Sequence, residues 1–143
     1  MRIWILIVLF GVISTSCNTK VSAERKIKRT VTTFFSAVEK NSTNQCRDLI
    51  KDGHDAYGSI HMQVHFLNKN YKKINSYVNL KENIKVKDTI YVGSKMKYVQ
   101  YRIKNNNPKY LEKPLTITFI FYDQTGYDKI FNSSVVENFL DWE

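Results

Sequence analysis

Cysteine is nearly absent from this chain, and the pair present, Cys17 and Cys46, cannot staple a disulfide-rich scaffold. Their spacing fits no thiolate zinc site. Proline is as scarce, with Pro108 and Pro114 bracketing a single loop, and five glycines form no flexible linker. Acidic residues are outnumbered, 13 Asp+Glu against 22 Lys+Arg, for a formal net charge of +9. No internal repeat, low-complexity tract, GxSxG, P-loop or dinucleotide fingerprint occurs. What the chain does have is 43% apolar and 13% aromatic content, which excludes a disordered tail, a collagen-like repeat or a mucin-like stalk. At 143 residues it has the length of one domain.

The chain also lacks an apolar run long enough to span a bilayer. Ile3 to Ile13, interrupted only by Gly11, would make a helix of about 16 Å at ~1.5 Å per residue, roughly half of a ~30 Å hydrocarbon core. With Arg2 before it and Ser14, Thr15 and Ser16 after it, the run reads as a cleaved export signal. A small residue directly before Cys17, at the end of a short apolar stretch, resembles the bacterial lipoprotein signal. That resemblance implies a diacylglycerol on the Cys17 thiol, cleavage after Ser16 and often a further acyl chain such as palmitate. The pattern departs from the family at Ser14, where Leu is preferred. Ordinary secretion with an incidental Cys17, and a retained signal anchor, are the competing readings. The division that follows is residues 1–16 as signal peptide, 17–23 as lipidated tether and 24–143 as the folded domain.

Just beyond the tether's anchor lie Lys20, Arg25, Lys26, Lys28 and Arg29, opposed only by Glu24. Each basic residue beside an anionic lipid surface adds about 1 kcal/mol of attraction, though the solvated face of a first helix would look the same. The expected partner is the lipid bilayer, through acylated Cys17, with an envelope protein or small ligand beyond it. The charge carries no nucleic-acid signature, because no recognisable binding module accompanies it.

In the mature part, Ile27, Val31, Phe34, Phe35 and Val38 mark one face of a helix from Ala23 to about Lys40. Ser42 to Gln45 reads as a capping box opening a second, short helix with Cys46, Leu49 and Ile50 inward. Ile60, Val64, Leu67 and Tyr71 predict a third helix over about 56–72. After Lys73 the period turns to two: Ile74 to Leu80, then Ile84 and Val86 leading to Ile90–Val92, then Met96–Ile103 and Leu115–Tyr122. Asp123 to Gly126 reads as a hairpin turn, with Tyr127–Val136 returning antiparallel and Phe139, Leu140 and Trp142 closing the sheet edge. The class is α+β: a long N-terminal helix plus one or two short helices, packed on a curved four- to five-stranded antiparallel sheet.

This order, with Val31–Lys40 followed by Cys46-Arg-Asp-Leu-Ile, is similar to the opening of the nuclear transport factor 2-like (cystatin-like) superfamily. The resemblance implies a sheet wrapped around the first helix and, in many members, a cone-shaped pocket used for catalysis or for binding.

Candidate chemistry is sparse. His54 and Asp55, in a loop after a helix, are the alternative catalytic pair, since enzymes of that superfamily use Asp or His as a general base within the cone. Such a base needs an apolar wall and a facing donor, for which Tyr98, Tyr101 or Tyr122 would serve. A turn built from Asp52-Gly53-His54-Asp55 is the simpler explanation. His61 and His65 stand four apart, a spacing able to chelate zinc, but Met62 occupies the place of the zincin glutamate. They read as boundary residues, so no metal and no cofactor is expected. A Cys46–His nucleophilic pair lacks supporting spacing. The expectation is therefore a membrane-anchored exported lipoprotein of the bacterial cell envelope, facing periplasm or exterior, acting as a non-catalytic binding or interaction module. The alternative is a small envelope enzyme using His54 and Asp55.

Overall fold

A computed structural model describes residues 22–74, 80–91, 93–103 and 115–137. Helix α1 covers residues 22–39. Its stripe of Ile27, Val31, Phe34, Phe35 and Val38 is at most 1% exposed. Burying each such side chain contributes about 1.5–3 kcal/mol, so this face rather than intrinsic propensity holds the helix. The helix stops where Asn41 takes a left-handed φ of 50°. Asn41 N–H donates to Val38 O at 2.9 Å and Ser42 N–H to Ala37 O at 2.9 Å, the paired bonds of a Schellman ending.

Helix α2 (Thr43–Arg47) follows at once and buries Cys46. The capping box read from Ser42 and Gln45 does not form as expected: Ser42 is the N-cap residue but makes no side-chain capping bond. Its backbone N–H is already committed to the end of α1. Helix α3 (Tyr57–Asn70) buries Ile60, Val64 and Leu67 and runs into a 3₁₀ turn at Tyr71–Lys73.

The sheet consists of β1 (Lys87–Tyr91), β2 (Ser94–Ile103), β3 (Leu115–Tyr122) and β4 (Asn132–Glu137), antiparallel in the order β1-β2-β3-β4. The architecture is α+β. Val99, Tyr101, Ile117, Phe119 and Phe121 join the α1 and α3 stripes in one core. On the opposite face, Met96, Tyr98, Thr116, Thr118 and Ile120 are buried too. Strand β3 is thus covered on both sides, which accounts for its nearly unbroken run of β-branched and aromatic residues.

Two expected elements are different in the structure. The alternation from Ile74 to Val86 does not make a strand among the described residues: Ile74 forms a single bridge to Ile103, and 80–82 is a turn. That turn packs on α1, with Thr32 Oγ1 donating to Lys81 O at 3.3 Å and Lys81 paired to Glu39. Nor is Asp123–Gly126 a tight hairpin turn. A 3₁₀ turn at Asp123–Thr125 leads into Gly126 and Tyr127, with φ of 65° and 63°, and β4 starts only at Asn132. The intervening segment serves as a clamp. Lys26 Nζ donates to Gly126 O at 3.1 Å and Thr30 Oγ1 to Asp128 O at 3.1 Å. Ile130 forms a parallel bridge with Ile50, through Lys51 N–H to Ile130 O at 2.8 Å and Ile130 N–H to Leu49 O at 2.9 Å. Residues 75–79, the turn expected at 105–108 and the apolar tail from Phe139 lie outside the described residues.

Candidate functional site

The cone-shaped pocket implied by the resemblance would lie between α1 and the sheet, and aromatic rings occupy that space. Phe34 meets Phe119 at a centroid distance of 5.0 Å and 69°, and Phe35 meets Phe119 at 5.6 Å and 88°. Phe35 also lies 5.3 Å from Tyr101 at 84°, all edge-to-face arrangements favoured by the ring quadrupoles. Phe34, Phe35, Phe119 and Phe121 are at most 1% exposed. Tyr101, one of the expected oxyanion donors, gives its O–H to Leu80 O at 3.3 Å, and burial pushes its phenol well above the ordinary range. Tyr98 alternates to the other face of β2, and Tyr122 ends β3 against Phe131 at 5.9 Å.

His54 and Asp55 lie elsewhere, both exposed, in the loop between α2 and α3. They line a depression of about 600 Å³ with Arg47, Asp48, Ile50, Lys51, Asp52, Gly53 and Lys129. Among the described residues no tyrosine lines it. A general base there has no lining phenol to face it. Its cations are engaged locally. Arg47 donates from Nε and Nη2 to Asp48 Oδ1 at 3.0 and 2.9 Å, and Lys129 donates to Asp48 O. Lys51 Nζ lies 5.2 Å from the centre of the Phe131 ring. Asp52 at φ 55° and buried Gly53 turn the chain tightly; a Cβ at Gly53 would run into Arg47 O and come within 3.1 Å of Ile50 O. The loop therefore behaves as a fastener between helices and sheet. Residues 51–56 form turns, which is the structure read for Asp52-Gly53-His54-Asp55 in the sequence.

A third collection lies on the outer face of α3. Tyr57, His61 and His65, each four residues apart, are exposed and stack in a row. The Tyr57 and His61 centroids are 6.3 Å apart at 15°, and those of His61 and His65 are 6.4 Å apart at 11°. Thr43 Oγ1 of α2 lies 3.0 Å from His61 Nδ1. Arg47 sits 6.0 Å from the Tyr57 ring centre. Sequence periodicity placed the two histidines at the edge of the core; it held no sign of the Thr43 contact, which crosses between helices.

Of the basic residues grouped after Cys17, Arg25, Lys28 and Arg29 project from α1 into solvent, while Lys26 is tied to the 126–128 clamp and lies 3.7 Å from Asp128. Cys17 and Lys20 lie outside the described residues. Cys46 is buried and free, and desolvation pushes its thiol up to about 12, which makes it a poor nucleophile. Among the described residues no group of three His, Cys, Asp or Glu side chains is arranged to hold a metal, and no helix is long and apolar enough to cross a membrane. No known protein family matches the chain, and neither does any curated protein or solved structure.

Proposed function

We propose that this chain is an exported bacterial lipoprotein, held at the cell-envelope membrane by acyl chains on Cys17. Its nuclear transport factor 2-like domain acts there as a non-catalytic binding module. The observation that carries the non-catalytic part is the packing of Phe34, Phe35, Phe119 and Tyr101, which fills the space where enzymes of the resembled superfamily keep a reaction chamber. Exposure of His54 and Asp55 on a loop outside that space supports the same reading. The anchor rests on the short apolar run ending at Cys17, and two or three acyl chains at about 0.8 kcal/mol per buried CH₂ hold a small domain firmly. The exposed side chains of Arg25, Lys28 and Arg29 follow the anchor closely enough to lie against anionic headgroups.

Metabolic labelling with palmitate tests the anchor: label is expected on the wild-type protein and absent from Cys17→Ala. Equal labelling of the two overturns the lipoprotein reading. Pressurising crystals with xenon tests the closed interior, since an apolar cavity takes up the gas. No xenon site is expected between α1 and strands β2 and β3, and an occupied site there reverses the preference for a module without a chamber.

A further inference from the structure

We propose that His61 and His65 form a surface site for a borderline-soft divalent transition metal such as Zn²⁺ or Ni²⁺, with Thr43 as its positioning residue. The inference is independent of the membrane anchor.

Four observations support it. First, the imidazoles stand one helical turn apart on α3, so both rings project from the same face. Second, both are exposed, and their planes lie within 11° of parallel at 6.4 Å between centroids. With His61 held in place, rotation of the exposed His65 side chain is the movement that would bring its Nε2 onto an ion bound by His61, at the usual Zn–N distance of about 2.0–2.1 Å. Third, the Thr43 hydroxyl is 3.0 Å from His61 Nδ1. It can accept from Nδ1–H, which leaves Nε2 unprotonated with its lone pair outward, the form a metal needs. Metal-bound histidines nearly always engage their second nitrogen in this way. Fourth, Tyr57 stacks on His61 at 6.3 Å and 15°, restricting rotation of the ring.

The spacing by itself would leave the pair as ordinary boundary histidines. The difference lies in Thr43, whose contact with His61 is set by the packing of α2 against α3. Among the described residues no third His, Cys, Asp or Glu completes the set. The remaining coordination positions therefore belong to water or to a donor carried by another molecule. Imidazole nitrogens suit Zn²⁺, Ni²⁺ and Cu²⁺ rather than Mg²⁺ or Ca²⁺, which prefer oxygen.

The test is calorimetric titration of the full-length, detergent-solubilised protein with ZnCl₂ and NiCl₂, alongside MgCl₂. One saturable site for the first two ions is expected and none for magnesium. His65→Gln and His61→Gln should each weaken that site at least tenfold, and both positions are exposed enough for the fold to survive. Thr43→Val, which keeps the shape and removes the hydroxyl, should weaken it by about tenfold, the lower end of what loss of an outer partner costs. His54→Gln should leave it unchanged. Affinity in His65→Gln equal to that of the parent, or an equal loss in His54→Gln, would overturn the site. An unchanged Thr43→Val would remove Thr43 from it.

Discussion

Phe34 on α1 and Phe119 on β3 meet edge to face with ring centres 5.0 Å apart, joining the first helix to the doubly covered strand. Phe119 contacts Phe35 and Tyr101 as well, so its ring is a hub. Phe119→Ala is expected to cost about 3–5 kcal/mol, the range for truncating a buried aromatic that leaves a cavity. Urea unfolding followed by tyrosine and tryptophan fluorescence measures it, and a loss well short of that range, under about a third of it, contradicts the packing described.

Two glycines predict opposite outcomes for the same substitution. At Gly53 a methyl group would collide with Arg47 O and crowd Ile50 O, both backbone atoms that cannot step aside. At Gly58, in the first turn of α3, nothing lies within 4 Å of an added Cβ. Gly58→Ala should raise stability by roughly 0.5–1 kcal/mol through backbone entropy and helix propensity. Gly53→Ala should lower it, and thermal melts of the two variants should move in opposite directions.

Cys46 gives a pH dependence with a definite sign. Burial lifts its thiol from an ordinary 9.0 to about 12, so between those values the unfolded chain loses a proton that the folded chain keeps. Stability should therefore fall as pH rises through that window, by at most about 1.4 kcal/mol per pH unit from this group. The buried Tyr101 phenol acts in the same sense. Cys46→Ala should flatten the part due to the thiol. In mildly alkaline buffer the native protein should resist an aromatic disulfide reagent at Cys46 and react promptly once denaturant is added.

Lys97 is only 9% exposed and is paired with Asp88 on the neighbouring strand. Removing the carboxylate strands a nearly buried ammonium, whereas replacing the lysine removes the need for a partner. Asp88→Ala should cost about 1–2 kcal/mol, below the usual figure for a fully buried pair because Asp88 itself is largely exposed. Lys97→Met should be neutral or stabilising. Denaturant midpoints of both variants check the asymmetry.

The parts of the fold readable from sequence are those set by local periodicity. Ile27, Val31, Phe34, Phe35 and Val38 announce α1, and Ile60, Val64 and Leu67 announce α3, because a helical repeat needs only neighbours to express itself. Leu115 to Tyr122 is equally legible, although Thr116 and Thr118 disguise its second buried face as a solvent face. What periodicity does not convey is contact between distant segments. The turn at 80–82 follows from Thr32 and Tyr101 reaching its carbonyls, and the late start of β4 from Lys26 and Thr30 holding the segment before it. The same limit applies to the sites. His54 and Asp55 stand out in the sequence as a suggestive pair and prove to be an exposed part of a fastening loop. His61 gains its interest only from Thr43, 18 positions earlier.

The clamp at 126–131 has a consequence for biogenesis. Its bonds to Lys26 and Thr30 close loops of 100 and 98 positions, and that from Lys129 to Asp48 closes one of 81. A ribosome-bound chain lacking this segment cannot complete its own interior, however readily its helices flicker into being. Such non-local closure slows folding and postpones it until the 126–131 segment has been made. A polypeptide threaded unfolded through a translocon would gain time from that delay.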